Sequence, residues 1–230
     1  MQEPQGGSPL GKLLVVAGAS LMVSSILYVW AFVAEFILPP PLLLSIGSLL
    51  QYIATYRTFF VLSYALFTIA NGLSIVGAFG LYALTKARDA SYAALGAGTL
   101  VVGLTVALLS STAPALIHLS DGYVAAADAA DQQAYATAAL GISSTNNPLI
   151  ASSFIGVGVI FLSLAMLKVP VARPLSYLGF VVGALNVVRD LPVVSNYPFE
   201  TGAVFVALSS IWIFGVGRAV YKEAASGLTW

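Results

Sequence analysis

Of the 230 residues, few polar side chains capable of chemistry interrupt the long apolar runs: Glu35, Asn71, His118, Asn186, Arg189 and Asp190, with Arg57 just outside one run. Such groups are costly at membrane depth and default to functional candidates. Arg189 is the natural hub, because its planar guanidinium can pair bidentately with the Glu35 carboxylate and satisfy both charges in low-dielectric surroundings. With His118, Asp190 and Arg57, this predicts an outward-facing polar cavity, while Asn71 and Asn186 lie deeper. The competing expectation is that Arg189, Asp190 and Glu35 extend to the headgroup region and that His118 is a boundary residue.

Counting removes most catalytic chemistries. Intramembrane zinc hydrolases need several histidines and a bis-histidine haem needs two, whereas His118 is the single histidine. Cysteine is absent, which excludes disulfides, thiolate catalysis and iron–sulfur ligation. A Ser–His pair from His118 with Ser20, Ser110 or Ser111 lacks the G-x-S-x-G elbow. No lysine sits within an apolar run to form a Schiff base, and no phosphate-binding glycine loop follows a strand. Asp128 and Asp131 share a helix face at i, i+3, but without a calcium-loop pattern they read as a solvated acidic surface. No metal or cofactor is expected.

The elements that must position these residues follow from composition. Hydrophobic residues make up 59% and charged residues 8%, against roughly 25% charged in a soluble domain. The apolar residues arrive in runs of about 20 or more, the length that crosses about 30 Å of hydrocarbon. The fold class is therefore all-α: a single domain, 1–230, forming a transmembrane bundle. Six spans are expected at about 13–38, 58–85, 91–118, 149–167, 175–194 and 199–217, with Pro114 kinking the end of the third. The first is too long for a signal-peptide core and is read as retained.

With the N-terminus inside, Lys12, Lys86, Arg88, Lys168, Arg173, Arg218 and Lys222 lie on the inner side and only Arg57 and Arg189 outside. Inner loops carry the excess of Lys and Arg, so the reading is a multi-pass protein of the cell membrane with both termini cytoplasmic. Two outer segments are predicted to be helical. Residues 42–57 carry Leu42, Leu43, Ile46, Leu49, Leu50 and Ile53 near helical spacing, which suits an amphipathic helix along the interface. Residues 121–140, DGYVAAADAADQQAYATAAL, are alanine-rich with an acidic start.

The inner loops echo one another: Arg88, Ser91 and Tyr92 repeat as Arg173, Ser176 and Tyr177, an R-x-x-S-Y pattern at a helix start. Three inside-to-inside hairpins would give a parallel repeat of the kind transporters use. The outer helix 121–140, the following span and the turn AMLKVPVARPLSYLGFVVGALNVV, over residues 116–188, together resemble an uncharacterised bacterial and archaeal multi-span membrane family known only as a domain of unknown function. That resemblance implies a six-span bundle and supplies no activity and no catalytic residues.

The residues point first to a non-enzymatic bundle that binds a lipid or small apolar ligand, or serves as an accessory subunit. The alternative is a small transporter built from repeated hairpins, and a membrane enzyme is third. A transporter needs polar groups at the midplane and towards both sides, and the inner halves of the spans offer almost none. Expected partners are membrane lipids, with a homo-oligomer or other membrane subunits; with net charge zero and no basic stripe, nucleic acid is excluded.

Overall fold

A computed structural model describes residues 9–37, 45–145, 148–169, 172–189 and 199–225, and among these the regular structure is helical throughout. The helices are α1 (Pro9–Ile37), α2 (Ile46–Thr55), α3 (Arg57–Thr85), α4 (Ala90–Leu109), α5 (Ala113–Ala125), α6 (Ala129–Thr145), α7 (Pro148–Met166), α8 (Arg173–Arg189) and α9 (Phe199–Ala225). Four apolar stretches, Pro9–Ala34, Arg57–Thr85, Ala90–Ala125 and Val204–Ala224, are long enough to cross a membrane. Large apolar side chains face outward along them, as at Trp30, Ile69, Leu95, Val204 and Ile211. Such an exterior suits hydrocarbon and would be an aggregation surface in water.

Local chemistry fixes several helix ends. Asp89 caps α4, its carboxylate accepting from the Tyr92 N–H at 3.1 Å. Ser45 caps α2 by accepting from the Ser48 N–H at 3.2 Å, and the Asp128 carboxylate accepts from the Asp131 N–H at 2.8 Å at the start of α6. Each satisfies an N–H that has no partner within its helix.

Three sequence expectations about these elements differ from the structure. The stretch expected as a third span is not one kinked helix: α4 ends at Leu109, the chain breaks at Ser110–Thr112, and Pro114 lies in the first turn of α5. A proline there costs nothing, because its missing N–H would have had no partner. The alanine-rich segment is likewise divided, α5 running to Ala125 and α6 starting at Ala129. Helix α9 continues to Ala225, about two turns beyond Gly217 and past Arg218 and Lys222.

The long helices pack as two groups of three. In one, α1 lies between α3 and α9; in the other, α7 lies between α4 and α8. Contacts between the groups are sparser and run mainly through α3 with α4 and α8 with α9. Within each group glycines bring backbones into contact. A Cβ on Gly18 would stand 2.8 Å from the Gly217 carbonyl oxygen of α9, and one on Gly158 would stand 2.9 Å from that of Gly96 in α4. In lipid, where apolar burial drives little association, such close approach supplies the van der Waals contact that holds helices together. One continuous core, including Leu21, Leu81, Leu100, Leu162, Trp212 and Val216, joins both groups.

Helices α2, α5 and α6 form a separate cap with its own small core of Leu50, Ile53, Leu116 and Ala139. Helix α2 buries Leu50 and Ile53 and exposes Gln51 and Thr55, the division its apolar spacing requires.

Candidate functional site

Beneath the cap, between the two helix groups, lies a cavity of about 650 Å3 bounded by α1, α3, α4, α5, α7, α8 and α9. It extends from the level of Leu21 and Leu81 to the α4–α5 break at Ser110–Thr112. Aliphatic and aromatic side chains together make up most of its wall, the aromatic ones including Phe32, Phe60, Phe67, Phe205 and Trp212. The size falls within the roughly 300–1,000 Å3 typical of small-molecule sites, which are mostly apolar with a few placed polar groups.

Those polar groups stand on both sides. On the α1–α3 side, the Tyr28 hydroxyl donates to Asn71 Oδ1 at 2.8 Å. The Ser24 hydroxyl donates to the Ala70 carbonyl at 3.0 Å and lies 2.6 Å from Ser74 Oγ. Asn71 is buried, at 4% exposure. On the opposite side, Asn186 of α8 lines the cavity and donates from Nδ2 to the Val182 carbonyl at 3.0 Å. From α9, Ser209 and Ser210 both line the cavity, and their hydroxyl oxygens are buried with no hydrogen-bond partner. Native interiors rarely leave such atoms unpaired. The Ser210 backbone carbonyl is used, accepting from the Ser25 hydroxyl at 2.9 Å. The Trp212 indole N–H is also satisfied, donating to the Leu175 carbonyl at 3.0 Å.

Of the residues singled out by sequence, Asn71 and Asn186 come to this one cavity from different helix groups. His118 does not: it is exposed on α5. Nor does Arg57, which pairs with Asp121 at 3.0 Å with both side chains about half exposed, joining the start of α3 to α5. Glu35 and Arg189 fall within α1 and α8 but their side chains lie outside the described residues, as does Asp190 altogether; the expected Glu35–Arg189 pair falls there too. Among the described residues no three His, Cys, Asp or Glu side chains gather in a metal-binding group.

Sequence reasoning missed the hydroxyls, because it looked for ionisable and amide groups. A signal existed: the adjacent serines Ser24–Ser25 and Ser209–Ser210 interrupt otherwise apolar runs, and both pairs supply cavity or interhelical contacts.

On the face away from the cap, the two basic turns meet. Lys168 Nζ donates to Asp89 Oδ2 at 2.6 Å. This hydrogen bond, followed by that from the Tyr92 N–H, holds the Asp89 carboxyl below its ordinary range. The R-x-x-S-Y echo shares location but not surroundings. Both tyrosines are exposed, Tyr177 more so, and Tyr92 stacks on Phe161 with centroids 6.1 Å apart; Ser176 is buried and donates to the Ala172 carbonyl, whereas Ser91 is exposed.

Comparison of the chain with protein-family models, with curated proteins and with solved structures finds no match.

Proposed function

We propose that this is a six-span protein of the cell membrane, with both termini cytoplasmic, that works as a non-enzymatic bundle holding a lipid or small apolar ligand in the cavity under its outer cap. The observation that carries the reading is the cavity itself: about 650 Å3 of mostly apolar lining, with buried serine hydroxyls that have no protein partner. The span count is supported by the lengths of α7 and α8. Their 19 and 17 residues extend about 28 and 26 Å at 1.5 Å per residue, close to the hydrocarbon thickness of about 30 Å. The orientation rests on the basic residues of the turns at 86–88 and 168–173.

Extraction of the protein from native membranes into nanodiscs, followed by native mass spectrometry, tests the reading. A stoichiometric bound mass whose removal lowers the Tm is expected; annular phospholipid alone would sink it. Because the chain has no cysteine, Lys86→Cys and Arg57→Cys give single labelling sites. An impermeant maleimide added outside intact cells should modify the second and spare the first.

A second reading, a small transporter, is favoured by one observation: the cavity lies between two helix groups that pack more closely within themselves than with each other. Saturable uptake of the bound molecule into proteoliposomes would favour that reading over binding alone.

A further inference from the structure

We infer that the α2–α5–α6 cap is a lid over the cavity, turning as one piece about Tyr56 and Ser110–Thr112 and held shut by the ion pair between Arg57 of the bundle and Asp121 of the cap. The inference rests on the binding reading for its purpose, which is to admit the cavity's occupant from the water on the cap side; the motion itself is measured without an occupant.

The cap holds together on its own. Leu50 and Ile53 of α2 are fully buried in a core shared with Leu116 of α5 and Ala139 of α6. Gly47 of α2 lies so close to the Tyr123 hydroxyl of α5 that a Cβ would stand 2.7 Å from it, and Gly122 of α5 is as tightly covered by the Tyr135 ring of α6. Among the described residues, by contrast, the cap's contacts with the long helices are few and go mainly to α3. A unit that packs closely on itself and loosely on its neighbours opens as a whole.

Its joints are short. Helix α2 passes into α3 through the single residue Tyr56, at φ −110° and ψ 30°. The α4 ladder ends with the Ser110 N–H on the Val106 carbonyl at 2.8 Å, and the α5 ladder begins with the Leu116 N–H on the Thr112 carbonyl at 3.0 Å. Such element-terminal residues absorb the dihedral change of a hinge. Ser110–Thr112 also line the cavity, as do Leu116, which belongs to the cap core, and Phe60, which packs against it. Lifting the cap therefore takes away part of the cavity wall.

The ion pair spans this seam. Arg57 opens α3 beside the Tyr56 joint, Asp121 lies on α5, and their side chains, both about half exposed, meet at 3.0 Å. At that exposure salt screens the pair and its hold is weak, so it can keep a lid closed without fixing it.

Ser209→Cys on α9 places one thiol in the cavity wall of a chain that has no other. In nanodiscs, its rate of modification by a membrane-impermeant, sulfonate-bearing methanethiosulfonate follows the open population. Arg57→Gln and Asp121→Asn should each raise that rate about two- to fivefold, the range for an exposed ion pair. The swap Arg57→Asp with Asp121→Arg should return it to the parent value. The two single variants change the local charge in opposite senses, so a rise in both cannot come from steering of the anionic reagent. Gln133→Cys, on the exposed face of α6, should keep one rate throughout. Ala107→Cys, in the α4 wall, repeats the measurement if the α9 variant fails to fold. Unchanged rates in both single variants, a rise in one with a fall in the other, or failure of the swap to restore the parent rate would overturn the latch. No modification of either cavity thiol in any background would overturn the lid. The bound mass sought by native mass spectrometry is a separate readout, so the lid and the binding reading fail independently.

Discussion

Gly96 and Gly98 lie two residues apart on α4, yet alanine should do opposite things at each. At Gly96 the added Cβ would stand 2.6 Å from the Leu162 nitrogen and 3.0 Å from the Gly158 carbonyl oxygen, both helix backbone atoms of α7. Neither can step aside, so α4 and α7 must separate by roughly 1 Å to restore ordinary contact near 3.5–4.0 Å. Overpacking of this kind costs about 1–3 kcal/mol. At Gly98 the same Cβ meets nothing within 4 Å. Both variants gain the same helix propensity, up to about 1 kcal/mol, so that term cancels when they are compared. Gly96→Ala should therefore be about 1–3 kcal/mol less stable than Gly98→Ala, while Gly98→Ala should equal or exceed the parent. Reversible unfolding in mixed micelles, titrated with SDS and followed by circular dichroism, measures the difference directly. Equal stability of the two variants would refute the claim that close glycine contact holds the α4–α7 seam.

Tyr28→Phe removes a hydroxyl donor from Asn71 Oδ1; interhelical hydrogen bonds in membrane bundles average about 0.6 kcal/mol and rarely exceed about 1.7, and the same SDS titration should return a loss in that range. Asp89 is held ionised below its ordinary pKa by Lys168, so its stabilising effect is complete above the unfolded carboxylate pKa of about 4 and fades as pH falls through the lower folded value. Asp89→Asn should flatten that acid limb in Tm measured from pH 5 to 2.5, and an unchanged limb would remove Asp89 as its source. The looser contact between helix groups predicts a further contrast. Spin labels at Lys12→Cys and Lys222→Cys, on α1 and α9 of one group, should give a narrow distance distribution by double electron–electron resonance. Labels at Lys222→Cys and Tyr177→Cys, on α9 and α8 across the groups, should give a broader or bimodal one; equal widths would show a single rigid body.

The helical class and the apolar stretches were legible in the sequence because composition and run length alone decide them: an 8% charged chain cannot clothe a soluble domain. The spacing of Ile46, Leu49, Leu50 and Ile53 suggested an amphipathic helix along the outer interface; α2 is a helix, and it buries Leu50 and Ile53 in a protein core with Leu116 and Ala139. Pro114 misled because a proline ends one helix and begins another with equal ease, and only the path of the chain at Ser110–Thr112 decides which. The candidate site was half legible. Asn71 and Asn186 stood out as amides in apolar runs, but nothing local ties residues 115 positions apart in the sequence to one cavity. His118 and Arg57 are as conspicuous by type, and tertiary structure leaves the first exposed and pairs the second with Asp121. The serine hydroxyls were invisible for the converse reason: a serine in a membrane helix normally bonds within its helix or to a neighbour, and only packing shows that Ser209 and Ser210 do neither. Sequence thus determined the solvent this chain lives in, because transfer free energies add along a run. Tertiary structure alone decided which polar atoms meet, because that depends on which helix faces which.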